Sequence, residues 1–306
     1  MKNIFKLLIF SVLTMLYSCE VPMSIELEGH KQTTIIEGWI VNGQAARVAV
    51  SRSIPYYSSI SMESVLTAAD STAIVTISDD MGNSEQLKRG MDLQNILRGD
   101  WGHLYIAGQL YIGSTIIGQA GHTYYLTVES NNQTYTAYTS IPNAVPQVDS
   151  LTFVRFPGDT TATLRLYWTD NPSTYDCYRF FVKIKGLDMF FKSVSMGCFD
   201  DLLFNGNHLA YEMLREPQTN MSYTSMSEKE REDFYRVYYK VGDTVYVRST
   251  FSDTASYKYW WDLQTSISMG MTPFLEPSSL KTNIKGENVT GIWSGYNARY
   301  DTVIFR

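Results

Sequence analysis

Apolar and polar residues alternate in short runs from Thr33 to Tyr138, with turn-forming residues between the runs, which is the pattern of half-buried β-strands. Residues 34–41 and 46–50 flank Asn42-Gly43, a pair that accepts the positive φ angles of a tight hairpin turn. Residues 73–78 and 84–87 flank the turn formers 79–83, and residues 124–129 and 134–138 flank Asn131-Asn132. These three hairpins predict an immunoglobulin-like β-sandwich over residues 33–141. Pro142 and Pro146 then break the ladder, because proline has no N–H to donate to a sheet, and residues 142–148 read as a linker. A second, β-rich domain is expected over 149–306, with a strand at 162–168 and a hairpin of 178–184 with 189–194. Gly242-Asp243 turns into a strand at 244–249, and a strand pair, 289–293 and 300–305, closes the chain. Residues 255–267 lack Gly and Pro and carry Tyr257, Trp260, Trp261, Leu263 and Ile267, which predicts the one substantial helix. Ser227 with Glu230 has capping-box spacing and predicts a short helix through Phe234. The expected fold class is therefore all-β, with two β-sandwich-like domains and one substantial C-terminal helix.

A different pattern precedes the strands. Lys2 and Lys6 begin the chain, residues 4–16 are largely apolar, and Ser18 stands before Cys19. That is the layout of a secretory signal of the lipoprotein type over residues 1–18. The apolar run is short for a bilayer span and is interrupted by Ser11 and Thr14. Cys19 is the expected lipidation site, where palmitate-like chains would anchor the protein at about 0.8 kcal/mol per buried methylene. Residues 19–32, with Glu20, Glu26 and Glu28, read as an acidic tether. The competing reading is an ordinary signal cut elsewhere, since Tyr17 is bulkier than usual for a lipobox.

Net charge and candidate chemistry narrow the function. A formal charge of -6 with no run of Lys and Arg excludes nucleic acid as the expected partner. The 22 Tyr suit strands, where they cover half-buried sheet faces, and also suit ligand stacking. Cys177 and Cys198 flank the 178–194 hairpin, on extensions of its two arms. A two-residue loop would set them opposite each other as a possible disulfide, whereas a three-residue loop matches Phe180 with Val194 and displaces them. His30, His103, His122 and His208 show no metal-ligand spacing. Gly291-Ile292-Trp293-Ser294-Gly295 has its serine one place late for a nucleophile elbow. Asp79-Asp80 with Asn83, and Asp200-Asp201 with Asn205, offer oxygens without the periodicity of a calcium loop. Among Trp39, Trp101, Trp168, Trp260, Trp261 and Trp293, most belong in a core; Trp260 and Trp261 point about 100° apart on a helix, so one of them at most faces outward. No catalytic residue, metal ligand or cofactor site is expected.

Several segments, taken in order, resemble a known family. They are Ile36-Glu37-Gly38-Trp39-Ile40, Ser51-Arg52-Ser53, Pro55-Tyr56-Tyr57, the run from Val75 to Asp80 with Gly82-Asn83, and Gly121-His122-Thr123-Tyr124. Further on come Ile141-Pro142, Val148-Asp149-Ser150-Leu151, Gly242-Asp243-Thr244-Val245, Tyr259-Trp260, and Asn283-Ile284 with Gly286. The chain resembles the Bacteroidota lipoproteins grouped as domain of unknown function 4249, often encoded beside TonB-dependent outer-membrane receptors. The resemblance implies a lipid-anchored outer-membrane location, on either face, and a TonB-dependent receptor as partner. It carries no catalytic motif. Six triplets of Asp, Ser or Thr and a third residue resemble the Bacteroidota O-glycosylation site and mark Ser71, Ser150, Thr160, Thr244, Thr254 and Thr302. The function expected is a non-catalytic accessory or substrate-capture partner of TonB-dependent uptake. A stand-alone glycan- or peptide-binding surface module is the alternative, and a hydrolase the third reading.

Overall fold

The computed structural model describes residues 32–54, 62–90, 110–188, 190–215, 228, 232–233, 236–269 and 280–306, and those from Gln32 to Arg306 belong to one compact unit. The expected signal, Cys19, the tether up to residue 31, His30, His103, Trp101 and most of the 227–234 helix lie outside the described residues. The first half comprises β1 (Thr34–Val41), β2 (Ala45–Arg52), a short helix α1 (Met62–Ala68), β3 (Ile74–Asp79), β4 (Ser84–Gln86), β5 (Lys88–Gly90), β6 (Leu110–Ile117), β7 (Thr123–Ser130) and β8 (Gln133–Ser140). The second half comprises β9 (Val148–Arg155), β10 (Thr161–Thr169), β11 (Cys177–Ile184), β12 (Lys192–Asp200), β13 (His208–Met213), β14 (Tyr239–Lys240), β15 (Thr244–Ser252), the helix α2 (Thr254–Met269) and β16 (Val289–Ile304).

One eight-stranded sheet runs in the order β12-β11-β15-β16-β1-β2-β6-β5. Two smaller sheets accompany it: β4-β3-β7-β8, and β13-β10-β14 with β9 paired to β10. The first small sheet shares a core with β1, β2 and β6, made by Ile36, Ile40, Val48, Val75, Ile77, Tyr124, Leu126 and Trp293. The second shares a core with β11 and β15, made by Leu164, Leu166, Trp168, Tyr178, Phe180, Val182 and Val247. Side chains alternate along a strand, so Trp293 and Val303, both odd-numbered, lie on one face of β16. Trp293 enters the first core and Val303 borders the second. A third cluster of Trp39, Val41, Leu110, Phe181 and Tyr296 occupies the opposite face, on the side of α2.

The three expected hairpins of the first half are present. Asn131 and Asn132 hold φ of 51° and 59° between β7 and β8, as a tight antiparallel turn requires. The expected helix at 255–267 is α2. Asp253 caps it, accepting the Ser256 N–H at 2.7 Å through one carboxylate oxygen and the Thr139 hydroxyl at 2.6 Å through the other.

The closing strand pair is corrected to a single 16-residue strand. Residues 289–296 of β16 pair in parallel with β1, and residues 296–304 pair antiparallel with β15. Gly295, which looks like a breaker, brings β16 against the Ser140 carbonyl: an added Cβ would lie 2.6 Å from that oxygen. Asn297 stays in the strand by donating to the Pro142 and Asn143 carbonyls. Residues 142–147 do carry the chain from one core to the next, yet the large sheet passes continuously from one half to the other through β16.

The β11–β12 hairpin follows neither expected register along its whole length. Near the loop Phe181 opposes Ser193 and Val182 opposes Lys192, the register that favours the apolar match. An irregularity with Met196 at φ 55° then shifts the arms, so that Arg179 opposes Cys198 and Cys177 opposes Asp200. Cys177 and Cys198 are therefore free, buried thiols rather than a disulfide.

Candidate functional site

Among the described residues, three groupings of polar side chains bear on candidate chemistry. The first is a polar pocket where the start of β1, the end of β2 and the β7–β8 turn meet. Thr34, Arg52, Asn131, Gln133, Tyr135 and Asn288 are among its lining residues, and its volume is about 250 Å³. Tyr135 donates its hydroxyl to Gln133 Oε1 at 2.6 Å and accepts from Thr34 Oγ1 at 3.0 Å, which fixes the inner wall. Arg52 Nη2 donates to Asn131 Oδ1 at 2.9 Å and lies 3.7 Å from the buried Asp70 carboxylate. Burial pushes the Asp70 pKa up, but hydrogen bonds from Ser130 and Thr72, with the Arg52 charge, outweigh it and hold the group below the usual carboxylate range.

The second is a cluster of Asp170, Asp176 and Asp201, each offering an oxygen within 4.8 Å of the others. Asp170 accepts from the Tyr178 hydroxyl at 2.5 Å and the Gly206 N–H at 2.8 Å. Asp201 Oδ2 accepts the Asp176 N–H, and Asp176 Oδ2 accepts from Thr174 Oγ1, both at 2.8 Å. Burial raises the pKa of Asp176 and of Asp201, and the neighbouring carboxylates add to both shifts. The chemistry of this set suits a shared proton or a hard cation such as calcium. Of the two acidic groups singled out in the sequence, Asp201 joins this cluster; Asp170 and Asp176 are distant in sequence and no spacing rule brings them in. The Asp79-Asp80 group instead builds a turn, with Asp79 accepting from Met81 N, Asn83 N and Asn83 Nδ2.

The third is the exposed trio Thr169, His208 and Asp149. Thr169 Oγ1 donates to Asp149 Oδ2 at 2.9 Å and lies 3.1 Å from His208 Nδ1, which is itself 3.3 Å from Asp149. A relay needs the acid on one ring nitrogen and the nucleophile on the other. Here both approach Nδ1, so the trio is a surface hydrogen-bond cluster. His122 pairs with Asp80 at 2.8 Å. Ser294, from the elbow-like pentapeptide, is buried within β16 opposite Trp39. Trp39, Trp168 and Trp293 are buried core residues, Trp260 lies beneath Arg179 at 3.6 Å, and Trp261 faces outward.

Of the six Ser and Thr marked for glycosylation, Ser71, Ser150, Thr160, Thr254 and Thr302 are exposed and Thr244 is half-buried. The Asp before each has structural work as well: Asp70 and Asp159 close turns onto Thr72 and Thr161, Asp253 caps α2, Asp243 holds Arg236, Asp149 accepts from Thr169, and Asp301 accepts from Arg299.

These features define an all-β, sandwich-like protein with one substantial helix and a polar pocket on its sheet framework. Among curated proteins, none matches the chain. The chain belongs to the family described as a domain of unknown function, DUF4249, whose model matches residues 20–301.

Proposed function

We propose that this chain is a non-catalytic, lipid-anchored outer-membrane lipoprotein that serves a TonB-dependent uptake system as accessory or substrate-capture partner. The observation that carries the reading is the leader ending in Ser18-Cys19, with the family match beginning at Glu20, the very next residue. Acyl chains on Cys19 would hold the body at a lipid boundary, and residues 19–32 would set its distance from the headgroups. Two experiments test it. Cys19→Ser should release the protein from the membrane fraction and block processing; equal membrane association would overturn the anchor. The full-length protein, extracted in mild detergent, should co-purify with a TonB-dependent receptor, and its consistent absence would overturn the partnership. The polar pocket favours a second reading, a surface module that binds glycan or peptide without a receptor. Saturable binding on an array by a protein that brings down no receptor would select it.

A further inference from the structure

We infer that the pocket between β1, β2 and the β7–β8 turn binds a single neutral sugar ring edge-on, through its hydroxyls. The inference deepens the capture half of the reading above and names its ligand class. Size comes first: about 250 Å³ holds roughly eight waters at about 30 Å³ each. That lies just below the roughly 300–1,000 Å³ of pockets for drug-sized ligands, so it admits one ring and not a chain.

Chemistry comes next. The phenol of Tyr135 has one proton, given to Gln133 Oε1, so Thr34 must be the donor of the 3.0 Å contact. This fixes the Gln133 carboxamide by its oxygen, and among the described residues its Nε2 has no protein partner. Asn288 adds a whole amide, and Arg52 adds N–H groups beyond the one held by Asn131; its Nε is buried without a partner. The free groups are thus mainly donors, with the Asn288 amide supplying an acceptor beside its own donors, a mixture that suits hydroxyls, since each both gives and receives. The Arg52 charge already faces Asp70 at 3.7 Å, so the pocket offers little surplus charge to an acidic ligand. Among the described residues Tyr135 is the one aromatic in the lining and is 2% exposed, so these residues offer no apolar seat for a peptide side chain.

Placement agrees. Thr34, Arg52, Gln133 and Tyr135 sit on paired strands, which keep the donors fixed before any ligand arrives. Asn131 and Asn288 each hold φ of 51°, where glycine is the least strained residue, and each brings an amide to the rim.

The test uses the full-length lipoprotein in detergent, titrated with glucose, galactose, N-acetylglucosamine and glucuronate up to tens of millimolar, with binding followed by ligand-observed NMR. One neutral sugar should saturate a single site. Gln133→Ala and Asn288→Ala should each weaken it about tenfold, one lost hydrogen bond's worth, with unchanged circular dichroism. Tyr138→Ala, on the outer face of β8, should bind as the wild type does. No saturation by any neutral sugar, tighter binding of glucuronate, or pocket variants that bind normally would each overturn the inference. Receptor co-purification on the same preparations keeps the two readings apart: receptor present with no sugar bound sinks this inference alone, and sugar bound with no receptor sinks the partnership alone.

Discussion

Loss of the Asp188 carboxylate should cost the fold heavily. Its side chain is fully buried in the β11–β12 loop, where Oδ2 accepts the Ile184 N–H at 2.9 Å. Oδ1 receives Arg215 Nη2 at 2.6 Å and lies 3.0 Å from Lys192 Nζ. Arg215, with a side chain 1% exposed, also donates to the Arg236 carbonyl and so ties the loop to the segment before β14. In Asp188→Asn two cations share a neutral partner, and breaking a buried pair in this way costs about 3–5 kcal/mol. That is a large share of the roughly 5–15 kcal/mol that holds a typical domain. Burial alone would raise the Asp188 pKa, but the Arg215 hydrogen bond and charge, then Lys192, hold the carboxyl below the usual 3.8. A lowered carboxylate pKa stabilises the fold above the unfolded value, and that stability is lost as pH falls through the folded value. The deficit of the variant should therefore be full near neutrality and shrink below about pH 3.8. Urea denaturation followed by tryptophan fluorescence, at neutral and acidic pH, measures it. A deficit under about 1 kcal/mol at neutral pH, or one of equal size in acid, would refute the electrostatic account. Asp188→Leu with Arg215→Met and Lys192→Met should recover part of the loss, since apolar replacements remove the desolvation costs of all three charges.

Gly38→Ala should destabilise by about 1–3 kcal/mol, because the new Cβ would lie 2.7 Å from the buried Trp293 ring; a calorimetric melting point equal to the wild type would count against that packing. Cys177 and Cys198, both pushed up to about 12 by burial first, should resist alkylation in the folded protein and react once urea unfolds it. Modification of either thiol at the rate of a free cysteine would contradict the structure. Asp176 has a raised folded-state pKa, so its charge weakens the fold as pH rises above the unfolded value. Asp176→Asn should accordingly melt higher than wild type near about pH 8, with the gap closing near about pH 4; a gap independent of pH would dismiss carboxylate repulsion as its cause.

The hairpins of the first half were legible because each joins an alternating run to a turn that demands particular residues, as Asn42-Gly43 and Asn131-Asn132 do. Local chemistry failed where tertiary contacts overrule it. Residues 294–297 read as a break because Ser, Gly and Asn favour turns, yet Gly295 admits the Ser140 carbonyl and Asn297 answers two carbonyls from the connecting segment. The cysteine register depended on an irregularity around Met196 that no loop-length rule announces. Strands β5, β6, β9, β13 and β14 lie outside the runs that read as strands, and β13 shows one reason: its half-buried residues Leu209 and Tyr211 flank an exposed Ala210 and give a weak alternation. The pocket was least legible of all, since Thr34, Arg52, Gln133 and Asn288 meet only after β1, β2, β8 and the approach to β16 have paired.

A strand that belongs to two cores forbids a hinge between them. Because β16 backs Trp293 in one interior and carries Val303 beside the other, the halves can neither swing apart nor clamp shut without tearing the ladder to β1 or to β15. The described body must therefore meet any partner as a single rigid piece, with the sugar-sized recess and the helix-bearing face held at one unchanging angle.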